Sequence, residues 1–176
     1  MKFRKSKIKG VWIIEAEPIY DDRGFFMRSF CKKEMHDHGL DMEIVQRNTS
    51  YNRQKGTIRG IHYQASPFEE EKNVSCIRGS IYDVAIDLRK DSPTYLKWHA
   101  EILSENSHRM LYIPKGCAHG FQTLEDDSVV QYEVGESYNP PFERAIRWND
   151  PIIDIKWPRP VSLISEKDQK HPDFIP

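Results

Sequence analysis

The sequence predicts an all-β fold, a jelly-roll β-sandwich or barrel with only short peripheral helices. Turn-forming residues recur at short intervals along the 176 residues, for example at 22–24, 78–80 and 114–116. Between these turns lie short runs rich in β-branched and aromatic residues, while helix-forming stretches are sparse. Many short strands at such spacing are typical of sandwiches and barrels, not of alternating β-α units.

Taken in order, the β-rich runs predict the main elements. Residues 32–38 predict a two-turn helix closed by Gly39. Residues 163–168 are expected to dock back on the sandwich near the C-terminus. The predicted strands are residues 11–14, 58–63, 81–88, 110–113, 129–134 and 146–148.

The composition indicates one domain over residues 1–176, because this length suits a single core. The 26 basic residues nearly balance the 27 acidic ones, which argues against a nucleic-acid-binding surface and requires any anion to be bound by a local cluster. The three cysteines form no C-x-x-C motif and predict neither disulfides nor a thiolate zinc site. No signal peptide and no apolar run of about 18 residues is evident. We therefore expect a cytoplasmic protein without nucleic-acid or membrane partners.

Residues 57–64 place useful side chains on one predicted strand. Arg59 is a permanent cation and His62 titrates near neutral pH, while Gly60 allows a bulge or a close approach of a ligand. In a flat strand the side chains of Arg59 and His62 point to opposite faces of the sheet. Both can serve one site only if Gly60 introduces a bulge or Arg59 approaches from the strand end. Taken alone, this run fits a structural histidine beside a surface arginine better.

Residues 114–119, PKGCAH, match P-x-G-x-x-H, the second signature of the cupin class of jelly rolls. In that class a Pro-Gly turn delivers the histidine into the barrel mouth, where it often joins an H-x-H pair and a glutamate around a metal. Here the first signature could only be His62-Tyr63-Gln64, which offers one histidine where two are required. The sequence therefore predicts a site without metal.

Polar residues in three other segments have both a functional and a structural interpretation. Arg23, in a glycine turn before two phenylalanines, suits a phosphate but also fits a solvated hairpin. Gln46 and Asn48 offer amides to a sugar or base, although such residues also build turns. Lys72 follows three glutamates and either stabilises an oxyanion in a cavity or is a solvated charge.

Two tyrosines and two aspartates also have both a functional and a structural interpretation. The Tyr132 hydroxyl is either a proton donor or a buried group bonded to the backbone. Tyr138 precedes an Asn-Pro-Pro turn and could stack on a flat ligand. Asp83 and Asp87 share one face of a strand, which either meets water or lines a polar cavity where Asp83 could orient a histidine.

In their order, these segments resemble the dTDP-4-dehydrorhamnose 3,5-epimerase family, the RmlC-like epimerases of nucleotide sugars. The resemblance covers nearly the whole chain, and the joint order of individually weak motifs makes it specific. The matching segments are residues 22–26, 46–50, 59–64, 72, 83–89, 92–95, 103–106, 113–121, 132, 138, 148–151, 157–158 and 165–168.

The resemblance implies a homodimer of jelly rolls that uses neither metal nor organic cofactor. The implied reaction is epimerisation at C3, C5 or both of a nucleoside-diphospho-4-keto-6-deoxyhexose, most simply dTDP-4-dehydro-6-deoxyglucose, through an enolate. The implied catalytic residues are His62 as base, Lys72 for the enolate oxygen, Tyr132 as acid, and Asp168, or else Asp83, to orient His62. The implied substrate-binding residues are Arg23, Arg59 and His119 for the diphosphate, Gln46 and Asn48 for the nucleoside, Tyr138 for stacking, and Phe26, Glu143 and Lys167. Family members use the counterparts of Arg23 and Phe26 in the neighbouring subunit's site.

Departures from the family pattern leave the substrate open. Arg28 and Arg47 stand where the family has acidic residues near the nucleoside, so the base and sugar are not fixed and CDP- or GDP-linked sugars remain alternatives. In the family, the counterpart of Lys72 is followed by an apolar residue and then a basic one. Here residues 73–76 break that pattern, and the difference predicts a reshaped sugar pocket. Three competing interpretations are an enzyme that inverts one carbon only, a metal-dependent cupin enzyme using His62 and His119, and a nucleotide-sugar-binding module without turnover.

Overall fold

The computed structural model describes all of residues 1–176, and it is built almost entirely of β-strands. The strands are β1 (Lys2–Lys5), β2 (Trp12–Glu15), β3 (Ile19–Asp21), β4 (Gly24–Phe26), β5 (Gln46–Asn52), β6 (Thr57–Gln64), β7 (Lys72–Arg78), β8 (Ser80–Asp87), β9 (Trp98–Ser104), β10 (Arg109–Ile113), β11 (Cys117–Thr123), β12 (Ser128–Val134), β13 (Glu143–Ala145) and β14 (Leu163–Ile164). The helices are α1 (Lys32–His36) and α2 (Glu166–Gln169), and a 3₁₀ turn spans Pro140–Phe142. The predicted all-β jelly-roll class with short helices is confirmed.

Two sheets form the sandwich. The first sheet has the strand order β1-β2-β10-β7-β12-β5, and the second has the order β13-β6-β11-β8-β9 with β14 parallel to β6. Neighbouring strands are mostly distant in sequence, as in a jelly roll. Buried side chains from both sheets, including Val74, Leu111, Phe121 and Val130, pack between them. One end of this interior is polar, and the candidate site lies there.

The outer face of each sheet is covered by less regular chain. On the first sheet, Ile14 and Met110 pack against Met35 of α1. On the second sheet, Val84 packs in a cluster with Ile153 from the segment after β13. Neither helix has the length and apolarity that a bilayer crossing requires.

Several element boundaries differ from the prediction. Helix α1 ends at His36, because the chain leaves helical geometry through a turn that Gly39 closes at φ +75°. The predicted strand at residues 146–148 is wrong, because β13 ends at Ala145. Ile146 nevertheless donates its backbone N–H to Ile61 O at 2.9 Å, so the chain still runs beside β6. The predicted docking of residues 163–168 is confirmed by the pairing of β14 with β6.

Candidate active site

A cleft between the two sheets brings His62, Lys72 and Tyr132 together. It consists of a cavity of about 680 Å³ and an adjoining one of about 230 Å³, and these three residues line both. His62 comes from β6 of the second sheet, whereas Lys72 and Tyr132 come from β7 and β12 of the first. A ligand in the cleft therefore lies between a histidine on one wall and a lysine and a tyrosine on the other.

A bulge in β6 allows Arg59 and His62 to face the same site, although in a regular strand their side chains would point to opposite faces. Arg59 pairs with Phe121 of β11 and His62 pairs with His119, so three steps along β6 oppose two along β11. Gly60 has φ +114°, and a Cβ there would lie 2.7 Å from Gly120 Cα. Only glycine fits such a position. The bulge lets Arg59 and His62 line the same cavity.

Asp168 orients the His62 ring. The Nε2 atom of His62 lies 2.7 Å from Asp168 Oδ1, and Asp168 is only 5% exposed. The Asp168 N–H donates to Ser165 Oγ at 3.1 Å, which caps α2 and fixes the carboxyl. Burial would raise the pKa of Asp168, but the hydrogen bond and charge of His62, with the Gly60 N–H and Ser165, outweigh it and lower that pKa. An ionised Asp168 accepts from Nε2–H and leaves Nδ1 of His62 to act as a base.

Asp83, the other carboxylate considered for His62, contacts His119 instead. His119 Nε2 lies 2.7 Å from Asp83 Oδ1. Asp87, on the same strand face, is also fully buried but is held by Arg89 at 2.7 Å in a network away from the cleft. The shared face therefore meets no water, and its two aspartates have separate partners.

These pairings do not fit the metal site of cupins. That site needs several ligands around one ion, but His62 and His119 are each bonded to a different carboxylate. The one group of three candidate ligands in the chain, His62, Asp168 and His171, excludes His119. The cupin ligand set is thus absent from this cleft.

Lys72 and Tyr132 are buried groups that face the cleft. Lys72 is 7% exposed, and its Nζ lies 2.9 Å from Glu70 Oε1, so it is not a solvated surface charge. The Tyr132 hydroxyl makes no hydrogen bond within the chain, unlike a tyrosine tied to backbone. Burial and, to a lesser extent, the charge of Glu70 raise the pKa of Tyr132, against the opposing effect of Arg59. Tyr132 therefore stays protonated and has its proton free to give.

The smaller cavity gathers the predicted nucleoside and stacking residues. Gln46 and Asn48 line it from β5, with the Gln46 amide donating to Asn48 Oδ1 at 2.8 Å. Tyr138 and Glu143 line it from the other side, and the Tyr138 hydroxyl donates to Glu143 Oε2 at 2.9 Å. Lys167, which lines the larger cavity, places its Nζ 2.6 Å from the same Glu143 oxygen. Glu143 therefore contacts a residue of each cavity.

The larger cavity is the more cationic one. Arg59, His119 and Lys167 line it, and the Arg59 guanidinium is positioned by Asn52 Oδ1 at 2.7 Å. Cationic and N–H donors grouped in this way suit an anion such as a phosphate.

Two predicted binding residues lie outside both cavities. Arg23 and Phe26 belong to the β3–β4 hairpin, which forms a separate two-stranded sheet. Phe26 is 74% exposed, and Arg23 pairs with Asp21 at 2.5 Å. The structure does not bring these two side chains to the chain's own cleft.

The departures from the family pattern also lie away from the cleft. Arg28 pairs with Glu34 at 2.7 Å beside α1. Arg47 pairs with Glu133 on the outer face of the first sheet, since it alternates with the inward-facing Gln46 and Asn48. The prediction that residues 73–76 reshape the sugar pocket is wrong, because none of them lines either cavity.

Some cleft residues were not predicted. Glu70 lines the smaller cavity, and three consecutive glutamates gave no sign of which one would face inward. Thr49 and Phe121 line the larger cavity; Phe121 follows the cupin histidine by two residues, so strand alternation could have assigned it.

Comparison with known proteins gives consistent matches along the whole chain. Residues 5–175 match the family model described as dTDP-4-dehydrorhamnose 3,5-epimerase. A protein of that name from Sinorhizobium fredii is 40% identical over 99% of this chain and 90% of its own length. The crystal structure of such an epimerase from Bacillus anthracis with TDP and PPi bound has a TM-score of 0.94 and 40% identity, covering 98% of this chain and 99% of that one. A 3,5-epimerase from Legionella pneumophila in complex with dTDP-4-keto-L-rhamnose has a TM-score of 0.89 and 39% identity, covering 95% and 89%.

Proposed function

This chain belongs to the dTDP-4-dehydrorhamnose 3,5-epimerase family and is an isomerase, and from that premise we propose how its cleft inverts carbons beside the ketone of a dTDP-4-keto-6-deoxy sugar. The observation that carries the proposal is the position of His62 opposite Lys72 and Tyr132. Epimerisation beside a carbonyl needs a base, a cation for the enolate oxygen and an acid on the opposite face. The cleft offers one residue for each task.

The first step removes a proton from carbon. In the ground state His62 Nε2–H is committed to Asp168, so Nδ1 takes the proton from C3 or C5. The electron pair of the broken C–H bond moves to the ketone oxygen and forms an enolate. The Lys72 ammonium stabilises that oxygen, and the carboxylate of Asp168 stabilises the imidazolium that His62 becomes.

The second step returns a proton to the other face of the sugar. Tyr132 stands on the first sheet, across the cleft from His62, and its unbonded hydroxyl donates to the enolate carbon. Its raised pKa keeps the proton in place until the carbanion character of the enolate draws it away. Delivery from the wall opposite to the base produces inversion.

The cationic cavity is proposed to hold the diphosphate. Arg59 and His119 would contact the phosphate oxygens, with Gln46, Asn48 and Tyr138 on the nucleoside and sugar side. The relatives bound to TDP and to dTDP-4-keto-L-rhamnose support a thymidine diphosphate carrier. Because Arg47 points away from the cleft, it does not argue against that base.

We further propose that two copies of the chain pair, with Arg23 and Phe26 completing the partner's site. The exposed β3–β4 hairpin supports this, because Ile19, Tyr20 and Phe26 expose 71%, 67% and 74% of their surface. Exposed apolar groups clustered on one hairpin are typical of a contact surface.

We propose that residues 1–176 form one domain and that the protein works in the cytoplasm. Residues from both sheets and the C-terminal α2 contribute to one cleft, which supports a single unit. The three cysteines are unpaired, which fits a reducing compartment.

The decisive experiment follows hydrogen exchange at carbon. The protein is incubated with dTDP-4-dehydro-6-deoxyglucose in deuterated water, and NMR is used to detect deuterium and configuration at C3 and C5. Deuterium at both carbons with inversion is the expected result. Exchange at one carbon alone would assign a mono-epimerase, and binding without any exchange of dTDP-, CDP- or GDP-linked sugars would refute the enzyme in favour of a binding module.

A further inference from the structure

Asp168 has a second imidazole neighbour that the proposed reaction does not use. His62 Nε2 lies 2.7 Å from Asp168 Oδ1, and His171 Nε2 lies 3.9 Å from the same oxygen. One donor atom from each of the three side chains falls within a group whose members all lie within 4.8 Å of one another. Two imidazole nitrogens and a carboxylate oxygen thus converge at the edge of the cleft.

The His171 ring is held in place by the fold and not by a bond of its own. Its Nε2 atom is buried and has no hydrogen-bond partner. Buried polar atoms are nearly always paired, so an unpaired one calls for a physical explanation. Helix α2 precedes His171, and the Phe174 N–H beyond it donates to Asp150 Oδ2 at 2.6 Å. The chain is therefore anchored on both sides of the His171 ring, and the Nε2 atom of that ring has no partner.

The donor set suits a transition metal. Two imidazoles and one carboxylate are typical of zinc sites with three protein ligands and an open fourth position. With metal–ligand distances of about 2.0–2.1 Å, the ligands of a tetrahedral ion lie roughly 3.3 Å apart. The separations of 2.7 and 3.9 Å from Asp168 Oδ1 lie on either side of that value. Small side-chain adjustments would bring all three donors onto one ion.

We propose that His62, Asp168 and His171 bind a divalent transition-metal ion of the zinc class, and that the bound ion inhibits the enzyme. The inhibitory part rests on the function proposed above, in which His62 is the base. A neutral imidazole that binds a metal through Nε2 carries its proton on Nδ1, so His62 then accepts no proton from the sugar. The ion also neutralises Asp168. Metal binding and proton abstraction are therefore alternative uses of one histidine.

Access and charge both permit binding of a cation. His62 and Asp168 line the larger cavity, so an ion reaches them through the opening that admits substrate. The neighbouring ammonium groups are paired, Lys72 with Glu70 at 2.9 Å and Lys167 with Glu143 at 2.6 Å, which reduces their repulsion. Imidazole ligands select zinc, copper, nickel or cobalt over magnesium and calcium.

The binding test needs no substrate. Metal-free protein is titrated with Co²⁺, read by its visible absorption, and with Zn²⁺, read by calorimetry and by displacement of cobalt. We expect one equivalent to bind to the wild type and a loss of at least about ten-fold in zinc affinity in H171Q. The matched control is H36Q, which removes an exposed histidine beside Asp41 that has no second imidazole, and it should retain wild-type affinity. H171L, checked for folding by circular dichroism, tests whether the amide of H171Q still acts as a ligand.

The inhibition test uses the deuterium-exchange assay. Zinc should inhibit the wild type reversibly, a chelator should restore turnover, and magnesium should have no effect. H171Q should turn over normally without zinc and resist inhibition by at least about ten-fold. Equal zinc affinity in the wild type and both His171 variants, or full turnover of zinc-loaded wild type, would overturn the proposal, and so would loss of activity on chelation. If no sugar is turned over, the proposed function fails, while the cobalt and zinc titrations still decide the site.

Discussion

His119 Nε2 lies 2.7 Å from Oδ1 of Asp83, a carboxyl group with no exposure to solvent. The second carboxyl oxygen, Oδ2, has no hydrogen-bond partner, so His119 is the one side chain hydrogen-bonded to this carboxyl group. The cleft thus contains two imidazole–carboxylate pairs, one built from β6 and α2 and the other from β8 and β11. In the proposed function, His62 transfers the proton and His119 binds the diphosphate.

Replacement of Asp83 by asparagine should weaken substrate binding and leave chemistry nearly unchanged. An amide makes only a neutral hydrogen bond to the ring, which is about half as strong as a charge-assisted one, so His119 is held less firmly toward the phosphates. We expect KM to rise about ten-fold, equivalent to ~1.4 kcal/mol, with kcat within about two-fold. Steady-state kinetics and calorimetry with dTDP measure this. A fall in kcat at constant KM would assign Asp83 to the reacting centre instead.

The His62→Ala variant should lose deuterium exchange at both carbons. The other imidazole of the larger cavity, His119, is proposed to bind the diphosphate, and removal of a general base typically costs about 10²–10⁴-fold in rate. Binding of dTDP should persist, because Arg59 and His119 are untouched. Exchange is followed by NMR, with H36A as the control for loss of a histidine outside the cleft. Wild-type exchange in the His62→Ala variant would remove His62 from the role of base.

The sequence patterns pointed to candidate residues on β6 and β11 because those residues lie in short, ordered motifs. They did not determine which carboxylate orients His62. Asp83 and Asp168 were both plausible, and the choice depends on β14 docking in parallel against β6, a contact between segments about a hundred residues apart. Packing between segments so far apart produces no local periodicity in the sequence from which the contact could be predicted.

At Arg47 local rules could have predicted more than they did. Arg47 lies between Gln46 and Asn48 on one strand, so period-two alternation already places it on the opposite face, where it pairs with Glu133. At Gly60 strand alternation left two options, a bulge or an approach of Arg59 from the strand end, and the register of β6 against β11 shows the bulge. By contrast, the boundary error at residues 146–148 arose because a buried Ile146 bonds to Ile61 beside the bulge without continuing a regular strand.

The Tyr132→Phe variant should separate exchange from inversion. His62 can still remove the proton and return a solvent deuteron to the same face, but no acid remains on the first sheet to protonate the other face. We expect measurable deuterium incorporation with retained configuration, and product formation reduced by at least about 10²-fold. NMR of the recovered sugar gives both quantities. Normal inversion in this variant would assign the acid to another group.

Asp87 should make the fold sensitive to acid. Burial would raise its pKa, but hydrogen bonds from Arg89, Ser92 and Thr94 outweigh it and lower that pKa to about 2. Because the folded value lies below the unfolded one, the stabilisation is present above about pH 4 and is lost as the pH falls toward 2. The shift corresponds to about 2 kcal/mol.

The D87N variant should therefore unfold more easily at pH 7, by about 2 kcal/mol, since the amide loses the charge-assisted hydrogen bonds that the buried carboxylate accepts from Arg89, Ser92 and Thr94. Its free energy of unfolding should also fall less than that of the wild type between pH 5 and pH 2, by about 2 kcal/mol. Urea unfolding at both pH values measures this, with D91N as the control for an exposed carboxyl group. Parallel pH dependence of the wild type and D87N would show that Asp87 titrates alike in the folded and unfolded chain.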